Sequence, residues 1–309
     1  MFRLIPLFAA LVVGETAIAG DSPIQGEILG GFATFVHRDH PGNRIGYRFH
    51  EHTPLLFGEI PRETTEAGRV GPSVEERIAQ FVRRPGVLEY RKRVTEADWS
   101  PQTWTFHLSP VADGIEMLLV VETSEVGLPD FHGIQQCFRL GGETNQEWRQ
   151  KYARTPAFSE FDLWSRATDE SGKVSLTSVW VDGAPRPVPA CRESVGYRTG
   201  YGESLDTRRS RGRLDWLTHV GSYDARILGT ADSGLISRTS LDGKWSCGLY
   251  WERSTHLTNH HPADCVHAIV NIGGIPPHSK RVLRGKIYWM PGSGNDLAEH
   301  WRRDFPSPE

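Results

Sequence analysis

Hydrophobic and polar positions alternate along short stretches of this chain. From Trp245 onward, Trp245, Cys247, Leu249 and Trp251 take one side of an extended backbone, and Ser246, Gly248, Tyr250 and Glu252 take the other. That period of two is the signature of a strand with one face in a core. Leu241-Asp242-Gly243 precedes it, and Asp-Gly is a strong hairpin signal. Arg281 to Trp289 repeats the alternation, with Leu283, Gly285, Ile287 and Trp289 on one side and Arg284 and Lys286 on the other. Further strands are expected at 28–37, 44–50, 87–94, 103–108, 133–140 and 173–181, the fourth with Trp104, Phe106 and Leu108 on one face and His107 on the other. Ile115 to Glu122 is almost continuously apolar, which suggests a central strand covered on both sides.

Helical patterns are few. Ser73 with acids behind it opens a short helix over 74–82, a second is expected at 143–152, and Asn295 caps a third at 296–304. In the last, Leu297, Trp301 and Phe305 form an apolar stripe that docks on a sheet. The proline-rich 184–190 cannot join a central ladder, and 196–213, rich in glycine and arginine, reads as a long exposed loop. There are no repeats and no heptads. Short strands separated by turn signals predict an all-β fold, a two-sheet antiparallel β-sandwich with a few short helices.

Composition narrows this. The 309 residues include 32 glycines, 20 prolines and ten tryptophans, and the formal net charge is -3. A general nucleic-acid binder would be basic, so nucleic acid is not an expected partner. Arg3, the apolar Leu4 to Val13 and the small-residue site Ala17-Ile18-Ala19 read as a signal peptide over 1–19. The alternative is an uncleaved N-terminal anchor. Residues 20–309 then form a single β-sandwich domain, secreted or periplasmic, with no stable membrane span after cleavage. Four cysteines, Cys137, Cys191, Cys247 and Cys265, allow three full pairings or buried thiols. No CxxC spacing occurs, which argues against a zinc knuckle.

The densest chemistry lies between His256 and His278, which holds five of the thirteen histidines. It reads as a histidine-rich loop between strands. His260 or His261 suits a base near neutral pH, and either, with Asp264 and His267, could hold a divalent ion. The cofactor expectation is therefore none or a divalent metal ion. The same loop also fits histidines that cap backbone groups. In Cys265-Val266-His267-Ala268, strand alternation puts Cys265 and His267 on one face, where His267 would be a hydrogen-bonded core residue. Substrate-binding candidates are His107, His132, Gln136, Arg211 and Trp216: histidine beside glutamine suits sugar hydroxyls, the arginine loop suits acidic groups, and Trp216 offers a stacking face. Ordinary solvated surface is the plainer reading of each. If the substrate is a uronate polymer, Arg211 or Gln136 would neutralise its carboxylate, His260 or His261 would take the adjacent proton, and Tyr250 would protonate the leaving oxygen. No GxSxG, HExxH, Walker loop or dinucleotide fingerprint is present.

Ser240 to Trp245, Asp264 to Ala268 and Arg284 to Trp289 together resemble a group of exported, largely uncharacterised bacterial β-sandwich proteins of carbohydrate-active type. The resemblance covers the C-terminal part and implies a sandwich; it transfers no catalytic residue. The functional expectation is a secreted carbohydrate-active protein, a polysaccharide lyase or hydrolase using the histidine-rich loop, acting on a carbohydrate polymer or oligosaccharide. The alternative is a non-catalytic extracellular carbohydrate-binding or interaction protein.

Overall fold

The structure is a computed structural model that describes residues 22–29, 32–51, 81–84, 87–94, 102–128, 133–140, 176–189, 195–201, 226–240, 242–260 and 265–306. Among these, the strands in chain order are β1 (Ile24–Leu29), β2 (Phe32–His37), β3 (His40–Glu51), β4 (Phe81–Arg84), β5 (Val87–Val94), β6 (Gln102–Val111), β7 (Gly114–Thr123), β8 (Gly133–Arg139) and β9 (Thr177–Val181). They continue as β10 (Ala184–Pro187), β11 (Val195–Arg198), β12 (Arg226–Thr230), β13 (Leu235–Thr239), β14 (Trp245–Trp251), β15 (Ser254–His260), β16 (Cys265–Asn271) and β17 (Lys280–Pro291). Helix α1 (Gly294–Asp304) follows.

Two sheets result. One has eight strands in the order β1-β2-β3-β8-β16-β15-β11-β12, the other nine in the order β10-β9-β13-β14-β17-β7-β6-β5-β4. Pairing is antiparallel except between β11 and β12. The expected β-sandwich is thus the observed fold. Its core lies between the sheets, where Phe35, Tyr47, Phe138, Val266 and Ala268 of the eight-stranded sheet meet Phe106, Leu119, Leu249, Trp251 and Trp289 of the other. Each contributes alternate residues of its strand, so the period-2 pattern is the pattern of the core.

The hairpin forms as its sequence predicts. Gly243 has φ +69°, the left-handed conformation glycine adopts without a Cβ penalty, and Ser240 N donates to the Trp245 carbonyl across the turn. The proline-bearing β10 is an edge strand, where a missing N–H costs no ladder bond.

Several expectations change. Residues 28–37 contain parts of two strands, and β3 begins at His40, earlier than expected. The expected 74–82 helix runs into β4, because Phe81 and Val82 pair with Tyr90 and Glu89; 74–80 and 143–152 lie outside the described residues. β7 is central, yet only one face is fully covered: Glu116 and Glu122 are exposed, and Leu118 and Val120 are partly buried. The start of the expected 196–213 loop is strand β11, paired with β15. Helix α1 is capped by Ser293 rather than Asn295. Ser293 Oγ accepts from the Asp296 N–H at 3.3 Å, and an Asp296 carboxylate oxygen accepts from the Ser293 N–H at 2.7 Å, a reciprocal capping box. No helix among the described residues is long and apolar enough to cross a membrane.

Candidate functional site

The register of the eight-stranded sheet decides which side chains can meet. In β8, Ile134 and Phe138 point into the interlayer core, so Gln136 does too. Its carboxamide oxygen accepts from Tyr47 Oη at 2.6 Å, and the same hydroxyl accepts from the Trp251 indole N–H at 2.8 Å. Gln135, Cys137 and Arg139 therefore project from the opposite, outer face. In β16, Val266, Ala268 and Val270 belong to the core, which sends Cys265 and His267 outward. His267 pairs directly with Cys137 and with Thr258 of β15, and Arg139 pairs with Cys265. After a register shift, His256 pairs with Ile269 and with Arg198 of β11.

One face thus gathers Gln135, Cys137, Arg139, Arg198, His256, Thr258, Cys265 and His267. Except for half-buried Arg198, these polar and thiol side chains are buried, with His256, Arg139 and His267 each 5% exposed. Burying such groups is unfavourable unless they are hydrogen-bonded. His267 meets that condition at both nitrogens: Nδ1 lies 3.4 Å from Thr258 Oγ1, and Nε2 lies 3.2 Å from Cys265 Sγ. The ligand atoms of Cys137, Cys265 and His267 all lie within 4.8 Å of one another. His256 Nδ1 lies 3.2 Å from Thr255 Oγ1.

The residues singled out by sequence divide among several places. His267 is on the outer face, and its shared face with Cys265 is as strand alternation predicts. The supposed histidine loop is in part strand β15, which carries His256 and ends at His260; the His260 backbone pairs with Cys265. His261, His132, Arg211 and Trp216 lie outside the described residues. Gln136 faces the interior, so it is its neighbour Gln135 that reaches the outer face. His107 belongs to the other sheet, where its Nδ1 lies 3.7 Å from Glu89 Oε2.

Tyr250 is also on the nine-stranded sheet, on the face covered by α1. Its ring packs 5.6 Å from Trp301 and 4.4 Å from Phe305, centroid to centroid. Burial, with the nearby Glu252 charge, pushes its hydroxyl up to about 12. Beside it, Lys286 Nζ is 2.8 Å from Asp113 and 2.7 Å from Asp304, and Tyr288 Oη donates to Asp304. These groups hold the helix to the sheet. The whole interlayer core separates them from His267, so the geometry gives Tyr250 no place beside that imidazole.

Arg139, Thr258 and Arg198 are not among the residues singled out by sequence, and of the two adjacent glutamines the sequence candidate is Gln136 rather than Gln135. The alternation of Cys265 and His267 was the available signal; what it lacked was the pairing partner, since β8 is remote in sequence from β16.

No protein-family model matches the chain, and no curated protein matches it. Among solved structures, it is similar to a galactose mutarotase related enzyme from Lactobacillus acidophilus, with 7% identity over 89% of this chain and 97% of that one, at a TM-score of 0.43. A provisionally named aldose 1-epimerase from Escherichia coli K12 gives 9% identity over 87% and 99%, at 0.41. A galactose mutarotase-like protein from Lactobacillus casei gives 9% over 87% and 98%, at 0.38. At these identities and scores no residue, substrate or reaction is carried over.

Proposed function

We propose that this protein binds a carbohydrate on the outer face of the eight-stranded sheet. The observation that carries the reading is the gathering of amide, guanidinium, imidazole and hydroxyl groups beside Ile269 on adjacent strands of that face, with half-buried Arg198 at its more open end. Sugar hydroxyls both donate and accept hydrogen bonds, and convergent polar groups of mixed character are what orient such a ligand. Arg139 and Arg198 add two guanidinium groups, whose planar forks suit a carboxylate or sulfate. An acidic polysaccharide or oligosaccharide is therefore the favoured ligand class. The signal-like segment 1–19 makes a secreted or periplasmic location part of the proposal.

A second reading, cleavage of that carbohydrate by lyase or hydrolase chemistry, is favoured by His256. An imidazole can take and return a proton near neutral pH, and this one shares its face with both arginines.

The test is a panel of neutral and acidic polysaccharides, oligosaccharides and free sugars, scored for retention and for turnover. The binding reading expects retention of an acidic glycan, weakening as salt rises. Cleavage would add new reducing ends or ultraviolet-absorbing unsaturated ends, lost in His256→Ala by roughly 10²–10⁴-fold. No retention of any glycan would overturn the proposal.

A further inference from the structure

We propose that Cys137, Cys265 and His267 form a binding site for one thiophilic metal ion, of the zinc or copper(I) type. The inference rests on geometry and goes beyond carbohydrate binding, which neither requires it nor follows from it.

Cys137 Sγ, Cys265 Sγ and a ring nitrogen of His267 lie within 4.8 Å of one another. In a tetrahedral zinc site, metal–sulfur bonds of about 2.3 Å and a metal–nitrogen bond of about 2.0 Å place ligand atoms roughly 3.5–3.8 Å apart. The cluster needs only small side-chain adjustments to reach that spacing. The backbone already fixes its shape, because the ligands come from two adjacent strands: Cys137 pairs directly with His267, and Cys265 lies two residues along from His267 on the same face. A β-ladder holds such positions more rigidly than a loop would.

The chemistry of the donors selects the ion. Two soft thiolates and one imidazole suit zinc or copper(I), whereas magnesium and calcium require oxygen ligands. All three residues are buried, Cys137 at 0% and Cys265 at 1% exposure, which shields thiolate bonds from water. The second shell fits as well. Thr258 Oγ1, 3.4 Å from His267 Nδ1, can accept a hydrogen bond from Nδ1–H and so leave the Nε2 lone pair to bind metal. Nε2 is the nitrogen that faces Cys265 Sγ. Binding would release one proton from each of the two thiols, form two metal–sulfur bonds and one metal–nitrogen bond, and change no oxidation state. Among the described residues the site has three protein ligands, which leaves the fourth tetrahedral position to another group.

The experiment adds Co²⁺ to reduced, metal-stripped full-length protein and follows the thiolate-to-cobalt charge-transfer absorption, then displaces it with Zn²⁺. The expected result is one bound ion per chain, its band removed by zinc, absent in Cys137→Ser and Cys265→Ser, and kept in Cys247→Ala, whose thiol sits in the interlayer core. Thr258→Val is expected to weaken binding ~10–100-fold. Circular dichroism checks each fold. Should the cysteine variants not fold, zinc-induced proton release and a concentration-dependent rise in Tm of the unaltered protein decide. No charge-transfer band, or a band that persists in both serine variants, overturns the site. Glycan retention by metal-free protein is scored separately, so the two proposals fail independently.

Discussion

Tyr47 ties the two sheets together through one hydroxyl. It donates to Gln136 beside it and accepts from Trp251 across the core, and all three side chains are buried. Tyr47→Phe keeps the ring and removes both bonds at once. The expected cost is about 1–3 kcal/mol, read from denaturant unfolding, with little change in m; a loss below the error of the method would mean that water or another group takes over. His37 and His40 form a second residue-scale junction. His40 stacks edge-on against Trp245 at 4.2 Å, and His37 lies 5.4 Å from Trp289. Burial lowers the pKa of each, outweighing the raising effect of Asp39 on both and of Asp242 on His40; neighbouring positive groups lower His37 further. A depressed imidazole binds its proton more readily when the chain unfolds. This contribution to stability is therefore complete above the unfolded value of about 6.5 and declines as pH falls from there through the folded pKa. A Trp245→Phe variant that exposes the pair should flatten that part of the stability–pH curve; an unchanged slope would count against it. At this scale the sequence showed which residues alternate, and Gln136 shares the parity of Ile134 and Phe138. The sequence did not show which strand flanks β8, and so which side chains Gln135 meets.

The strands and the final helix were the most legible elements, because each carries a local signal. β14 and β17 show strict alternation, and α1 shows an apolar stripe at four-residue spacing behind an N-terminal cap, although that cap is Ser293 and not Asn295. Leu297 is fully buried against Trp180, Leu235, Tyr288 and Met290, with Trp301 partly buried beside it. What could not be read were features that depend on a distant partner: the entry of β11 into the sheet, the pairing of Phe81 and Val82 with β5, and the placement of β8 beside β16. The meeting of β14 and β17 also explains Gly285. A Cβ there would lie 2.5 Å from Trp251 Cδ2, in the fixed body of the indole rather than at a flexible end. Gly285→Ala should push Trp251 away from Tyr47 and cost roughly 1–3 kcal/mol, visible as a lower Tm and altered tryptophan fluorescence. A fully stable variant with unchanged fluorescence would show that the two strands separate more easily than this packing implies. Asp113 ties the same layer to α1. Burial pushes its carboxyl up, but Lys286 and His300 outweigh that and hold it below the usual carboxylate range. Its contribution is present above the unfolded value and is lost in acid as the folded pKa is crossed.

At the level of the whole molecule, the sandwich leaves each sheet a second face, and the two outer faces differ. The nine-stranded sheet closes part of its own with α1 and the Lys286 network, which takes Tyr250 out of any shared site with His267. The eight-stranded sheet instead carries amide, guanidinium, imidazole, hydroxyl and thiol groups on four neighbouring strands. Fold class was readable because alternation is a local property. The site was only partly readable because its residues share a face through pairings between remote segments, and because Cys137 meets Cys265 and His267 across strands rather than through a CxxC spacing. The most direct measurement compares glycan affinity between two single variants, His256→Ala on the proposed face and His107→Ala on the outer face of the other sheet, each checked for fold. Binding at the eight-stranded sheet predicts that His256→Ala weakens the best ligand about tenfold or more, equivalent to roughly 1.4 kcal/mol, while His107→Ala binds as the unaltered protein does. Loss of binding in His107→Ala with full binding in His256→Ala would contradict the account.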